Sequence, residues 1–208
     1  MWIVALQMVS ACAAAAQDTP DDTGASGAGQ RVARCVAFVG GAASGFLAHE
    51  AGHLVFDVAF DADPGVKRVS FGAIPFFAIT HRSTVSPGQE YVISSAGFWV
   101  QHATSEWLLA SRPNLRHERA PYLKGWLAWN VLASAAYSTA AFGRFGPAER
   151  DTRGIAQSLG IAEPWVGAMI LTPAALDTWR YLHPESRWAR WTSRAVKVGL
   201  VVATVSAR

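Results

Sequence analysis

One short stretch of the chain combines residue types that bind metal and activate water. Residues 47–56 read LAHEAGHLVF, so His49 and His53 lie four positions apart, with Glu50 directly after the first of them. On an α-helix this spacing puts both imidazoles on one face, where they can bind one ion. Zinc binds neutral imidazole nitrogen, and a site with three protein ligands leaves a fourth position for water. Glu50 is then placed to accept a proton from that water and deliver it to a leaving amine. The pattern predicts a hydrolytic zinc site.

The same three residues have a second interpretation that involves no metal. His49 and His53 would be a buried pair bonded to neighbouring polar groups, with Glu50 as their counter-ion. The apolar surroundings favour the functional interpretation, because charged groups in the middle of an apolar helix are costly and are usually retained for a function.

The HExxH pattern supplies two ligands, and a third must come from elsewhere as a carboxylate or a histidine. Asp151 opens DTRGIAQSLG, which has the composition of a helix start. Asp177 is its rival, since it lies in an apolar segment just after Pro173, where a carboxylate needs a partner. The other candidates are His102, Glu106, Asp57, Asp61 and Asp63. His102 and Glu106, four positions apart, are either outer partners of the site or a pair on a helix surface.

A single amide, Asn130, lies in the apolar segment LAWNVLAS. It is a candidate substrate-binding residue, which would hold a substrate backbone or stabilise an oxyanion. The alternative is a hydrogen bond from helix to helix.

The composition indicates a membrane protein. Of the 208 residues 51% are hydrophobic and 16% are charged, whereas ordinary soluble domains carry about a quarter charged residues. Four apolar segments are long enough to cross a bilayer, namely residues 35–60, 90–110, 122–142 and 164–182. The net charge of +3 comes from basic residues dispersed between these segments, so we expect no nucleic-acid partner. A soluble helical protein with a large core is the alternative.

The ends of the chain and one connection have a different character. Residues 1–30 combine an apolar, signal-like leader with an acidic, Gly- and Ser-rich linker, so we place the folded domain at residues 31–208. Residues 66–82, VKRVSFGAIPFFAITHR, have the composition of a β-hairpin that lies over the site. Residues 195–205, AVKVGLVVATV, would lie along the membrane interface. The expected fold is therefore an all-α membrane protein with about four core transmembrane helices and a hairpin-like insertion after the first.

The order of these features resembles the site-2 protease family of intramembrane zinc metalloproteases. HEAGH lies in the first core helix, the strand-like VSFGAIPFF follows, and SPGQEYVISSAGFWVQ opens the next helix, where residues 94–98, SSAGF, are similar to the family's small-residue stretch. The resemblance covers about residues 34–182, and a chain this short would be a divergent, minimal member without an inserted PDZ-like domain.

The resemblance implies a role for five residues. His49 and His53 match the ligand histidines, and Glu50 matches the catalytic base. The family's third ligand is an aspartate on a later segment, preceded by an asparagine that positions substrate. Asp151 and Asn130 are the best matches for that pair, although they are farther apart than in the family and Asp151 is followed by threonine rather than glycine. Asp177 remains the alternative third ligand.

These inferences predict an integral protein of a bacterial-type inner membrane that hydrolyses peptide bonds of a membrane-associated protein substrate. Its cofactor would be Zn²⁺, bound by His49, His53 and Asp151, and its other partner would be membrane lipid. Two further classes fit the sequence. One is a non-catalytic polytopic membrane protein with a structural or vestigial metal site, and the other is a secreted, soluble zinc hydrolase.

Overall fold

A computed structural model describes residues 25–71, 74–82 and 84–206. Within these ranges the chain is mostly helical, with one small antiparallel sheet. In chain order the elements are α1 (Ala25–Ala59), β1 (Pro64–Phe71), β2 (Ile74–His81), α2 (Pro87–Ser111), a 3₁₀ turn (Leu115–His117), α3 (Pro121–Gly143), α4 (Asp151–Leu159), α5 (Glu163–Leu182) and α6 (Arg187–Ser206).

The four predicted apolar segments are confirmed as helices, and they correspond to α1, α2, α3 and α5. The predicted hairpin is also confirmed, since β1 and β2 pair in antiparallel register with Pro64 opposite His81. Two boundaries differ from the prediction. Helix α1 begins at Ala25, so the last six residues of the predicted linker are helical, and α6 begins at Arg187 rather than near residue 195. The leader and the rest of the linker, residues 1–24, lie outside the described residues.

Among the described residues, fewer helices are long and apolar enough to cross a bilayer than the sequence predicted. Among the described residues, one helix is long and apolar enough to cross a bilayer, the stretch Gly27–Ala59 of α1. Helices α4 and α5 meet the same requirement only as a pair, and the pair is bent by 117°. Core helices of soluble proteins and signal sequences also satisfy this test.

Helix α1 packs closely against α3, because glycines on both helices allow their backbones to approach. A Cβ atom at Gly41 would lie 1.9 Å from the carbonyl oxygen of Tyr122, and one at Gly125 would lie 1.9 Å from that of Phe38. Contacts this short show that the two backbones touch, as in the close helix pairs that small residues permit. Gly41 and Gly125 therefore serve the close packing of α1 against α3.

Helix α2 has a well-defined start that fixes its position after the hairpin. The Ser86 hydroxyl accepts a hydrogen bond from the backbone N–H of Gln89, and the Gln89 side chain accepts one from the N–H of Ser86. This capping box satisfies two N–H groups that the helix leaves unpaired, and Pro87 suits the first helical position. One hydrophobic cluster then joins α2 to α4 and α5, and it consists of Tyr91, Val92, Phe98, Ile155, Ala156, Val166 and Ile170.

Candidate metal centre

Three buried or half-buried side chains from two distant parts of the chain converge on one point. The Nε2 atoms of His49 and His53 lie 3.1 Å apart, and the Oδ2 atom of Asp151 lies 3.3 Å from the first and 3.5 Å from the second. In a tetrahedral site with bonds of about 2.0–2.1 Å, neighbouring ligand atoms are about 3.3 Å apart. The three atoms can therefore hold one metal ion, and we call them the metal centre.

The orientation of His53 is set by a backbone carbonyl of α2. Its Nδ1–H donates to the carbonyl oxygen of Ile93 at 2.7 Å. Because a carbonyl oxygen only accepts, the neutral ring carries its proton on Nδ1, and the lone pair of Nε2 points into the metal centre. A bond of this kind from the second ring nitrogen is typical of metal-binding histidines.

The position of His49 depends on a glycine of α2. His49 is 1% exposed, and a Cβ atom at Gly97 would lie 2.4–2.6 Å from three atoms of its ring. Any side chain at position 97 would therefore displace the imidazole. The rings of Phe98 and Tyr137 complete the wall around His49, with centroids 5.3 and 5.8 Å from that of the imidazole.

Asp151 is the first residue of α4, where the helix dipole favours a carboxylate. Its neighbours fix this end of the helix to the start of α5. The Arg150 guanidinium makes two hydrogen bonds to the Glu163 carboxylate, at 2.6 and 2.7 Å, and the Thr152 hydroxyl donates to the same carboxylate at 2.7 Å. The threonine that departs from the family pattern therefore has a role here, since it helps to hold the α4 terminus that carries Asp151.

Glu50 lies under the hairpin, which was expected to cover the site. Its side chain is 8% exposed, and Oε2 accepts a hydrogen bond from the backbone N–H of Ile79 in β2 at 3.4 Å. Lys67 of β1 in turn bonds the Glu149 carboxylate, two residues before Asp151. This ammonium group holds the pKa of Glu149 below its ordinary value. The hairpin is thus attached both to Glu50 of α1 and to the segment that leads into Asp151.

Asp177, the rival third ligand, belongs to a different cluster. Its Oδ1 accepts hydrogen bonds from Lys197 at 2.7 Å and Ser193 at 2.9 Å, and Arg180 lies 3.5 Å away. Glu106 bonds the same Lys197 and Arg180, as well as Arg194 of α6. We call these five charged residues the ion-pair cluster; they are Glu106, Asp177, Arg180, Arg194 and Lys197. The structure thus brings Asp151, and not Asp177, to the two histidines.

The other candidate ligands also lie in separate surroundings. Asp57 is 0% exposed, with His81 at 3.6 Å, and the same imidazole bonds Glu90 at 2.9 Å. Asp63 pairs with Arg82 in the loop before β1. The two nitrogens of His81 face opposite carboxylates, so this group ties β2 to α1 and α2 without forming a common ligand set.

Asn130 makes the helix-to-helix contact that was its alternative interpretation. Its Nδ2 group lies within hydrogen-bonding distance of three acceptors on α2, namely the carbonyl oxygen of Gln101 at 3.0 Å, the Thr104 hydroxyl at 3.0 Å and the Ser105 hydroxyl at 2.9 Å. The side chain is buried, and these contacts hold α3 against α2. Contact with a substrate remains a prediction that this geometry does not test.

Three features of the site were not predicted from the sequence. They are the Ile93 carbonyl, the glycine at position 97 against His49, and Tyr137, whose hydroxyl interacts with Asp151. Tyr137 could have been suspected as a hydroxyl in an apolar segment, but a backbone carbonyl carries no signal of residue type.

No family model, curated protein or solved structure matches this chain. The resemblance to site-2 proteases therefore rests on the residues quoted above, and function must be argued from the geometry of the site.

Proposed function

We propose that this chain is a zinc-dependent peptidase that hydrolyses a peptide bond in a membrane-associated protein substrate. The observation that carries the proposal is the convergence of His49, His53 and Asp151 at the spacing of ligands to one ion, with Glu50 next to the first ligand. Zinc commonly binds imidazole and carboxylate ligands, and catalytic zinc sites usually have three protein ligands, as this site would.

The roles of the side chains follow from their positions. Bound zinc would polarise a peptide carbonyl and lower the pKa of a water molecule. His53 is kept in the tautomer that presents Nε2 by its hydrogen bond to Ile93. Glu50 accepts the proton of the attacking water and returns it to the leaving amine. The backbone N–H of Ile79, in strand β2 of the hairpin, donates to the Glu50 carboxylate and orients it for this proton transfer.

The exposed surface of α1 supports a membrane location. Five valines along this helix are 57–67% exposed, and large exposed apolar surfaces are unusual for a soluble protein; they are Val32, Val36, Val39, Val55 and Val58. In a bilayer these side chains would contact acyl chains, while His49 and His53 of the same helix are buried within the protein. Washing membranes with alkaline carbonate tests the location, because an integral protein stays in the pellet whereas the secreted, soluble hydrolase that is the alternative would be released.

The central test compares the wild type with Glu50→Gln and His53→Ala as purified full chains. We expect about one zinc per chain in the wild type and in Glu50→Gln, measured by elemental mass spectrometry, and loss of zinc in His53→Ala. Each protein is then reconstituted with the membrane proteins of its expression host, and new amino termini are identified by mass spectrometry. Cleavage should fall by about 10²- to 10⁴-fold in Glu50→Gln. Equal sets of termini from both zinc-loaded proteins would show that the metal site is structural, and a wild type without zinc would remove the basis of the proposal.

A further inference from the structure

A cavity that is separate from the metal centre lies between α2, α4, α5 and α6. Its volume is about 580 Å³, which is within the usual range of sites for one small ligand. Its walls are largely apolar and aromatic, and they include Phe98, Trp99, Met169, Ile170 and Val198. Phe98 separates the cavity from the metal centre, since its ring also contacts His49.

One side of this cavity is charged. Glu106, Arg194 and Lys197 of the ion-pair cluster line it, together with His102. Among the described residues, that cluster combines three cations with two carboxylates. The cations are Arg180, Arg194 and Lys197, and the carboxylates are Glu106 and Asp177. One positive charge is therefore not balanced within the cluster. An apolar space with a surplus cation at its edge suits an elongated apolar ligand that ends in a single negative charge.

The cavity opens along α6, whose surface is typical of a helix at a membrane interface. Val198, Val201 and Val202 line the cavity although they are 50–62% exposed. One turn or more earlier, Trp188 and Trp191 are 58% and 65% exposed, and the Arg194 guanidinium lies over the Trp191 ring. Tryptophan beside arginine and lysine on an amphipathic helix is the pattern of interfacial helices, so the mouth of the cavity would face lipid.

We propose that this cavity binds one acyl chain of a single-chain anionic lipid, with the headgroup carboxylate at Arg194 and Lys197. The apolar walls take the chain, the surplus cation takes the charge, and the exposed valines of α6 form the route of entry from the bilayer. Lipid binding here does not depend on the proposed peptidase activity, because none of the residues that would bind the metal lines the cavity.

The test is native mass spectrometry of the delipidated full chain, titrated with palmitate and, as an uncharged control, with hexadecanol. Met169→Trp places a large side chain in the cavity, and Ala175→Trp makes the same addition on an exposed position of α5 outside it. Arg194→Gln removes the charge at the cavity, and Arg187→Gln removes one from the same helix outside it. Helix content measured by circular dichroism, together with a cooperative thermal unfolding transition, reports whether each variant is folded.

We expect one palmitate per wild-type chain, no bound palmitate in Met169→Trp, and unchanged binding in Ala175→Trp. Arg194→Gln should weaken palmitate binding by about tenfold, the effect of losing one charge-assisted hydrogen bond, while Arg187→Gln should leave it unchanged. The proposal is overturned if the folded wild type binds no palmitate, if Met169→Trp binds it as the wild type does, or if hexadecanol binds as tightly as palmitate.

Discussion

The chain buries carboxylates in two places of its helical core, and the two places differ in the chemistry of the partners. In the metal centre, Asp151 faces two imidazoles whose nitrogens can be neutral. In the ion-pair cluster, Asp177 and Glu106 face the guanidinium and ammonium groups of Arg180, Arg194 and Lys197.

This difference explains why only one of the two clusters can bind a metal. A carboxylate that is already bonded to an ammonium group, as Asp177 is to Lys197 at 2.7 Å, has its charge compensated and its oxygen occupied. The two imidazole nitrogens and the carboxylate of the metal centre all present lone pairs to the same point. Such a group of acceptors has no cation of its own to bind. A divalent ion would supply that charge, so the donor atoms of the metal centre suit a metal ion and those of the ion-pair cluster do not.

The largest effect is expected from removing one aspartate from each cluster in turn, Asp151 from the metal centre and Asp177 from the ion-pair cluster. Asp151→Ala should lose zinc, because two histidines alone remain. Asp177→Ala should keep about one zinc per chain but lose up to about 3–5 kcal/mol of unfolding free energy, since Lys197 and Arg180 lose one of their two carboxylate partners and keep only Glu106. Zinc analysis and thermal unfolding of both variants check this. Loss of zinc from Asp177→Ala alone would reverse the assignment of the two clusters, and Asp177→Asn repeats the test if the alanine variant does not fold.

A smaller effect is expected from the helix that positions His49. In Gly97→Ala the new methyl group must displace the imidazole from its place 2.4–2.6 Å away, so zinc affinity should fall by about 100-fold. Gly88→Ala on the same helix is the matched control, because nothing lies within 4 Å of a Cβ at that position. Competition with a fluorescent chelator measures both affinities. Equal affinities would mean that His49 is not held by α2 in the way the structure describes.

A change farther from the metal should have a weaker effect. Glu163→Gln weakens the hydrogen bonds from Arg150 and Thr152 that hold the start of α4, and we expect zinc affinity to fall by about tenfold. Glu185→Gln removes an equal charge from an exposed position, with 76% of that side chain accessible. The same chelator competition distinguishes them. An unchanged affinity in Glu163→Gln would show that Asp151 keeps its position without this contact.

The smallest effect on stability is expected from the ion pair of Lys67 and Glu149, since these opposite charges lie close to solvent. Because the pKa of Glu149 is lowered in the folded chain from its ordinary 4.5, the pair stabilises the fold above that pH and loses its contribution as the pH falls through the lowered value. Chemical unfolding of the wild type and Glu149→Gln at several pH values should differ by less than about 0.5 kcal/mol near neutrality. A difference that grows on acidification would contradict this assignment.

Much of the secondary structure could be predicted, because long apolar runs and a Gly- and Pro-bounded strand pair depend on local pattern. The start of α6 was missed since RWARWTSRAVK is charged and amphipathic, so its helix is not an apolar run. The first turns of α1 were assigned to the linker because glycine and serine are frequent there. The number of membrane crossings cannot be predicted from the local sequence pattern, since a buried core helix and a spanning helix have similar compositions.

The sequence by itself determined the pair of histidines and the glutamate beside them, because residues four apart on a helix share a face whatever surrounds it. Only the tertiary structure decided between Asp151 and Asp177. Asp151 is 102 positions from His49 along the chain, and it reaches the site because Gly97 admits the imidazole and Glu163 holds the start of α4. Asp177 lies in an apolar segment as the family resemblance allows, but the docking of α6 gives it Lys197 as a partner. Which carboxylate meets a distant imidazole depends on how helices pack, and no local pattern encodes that choice.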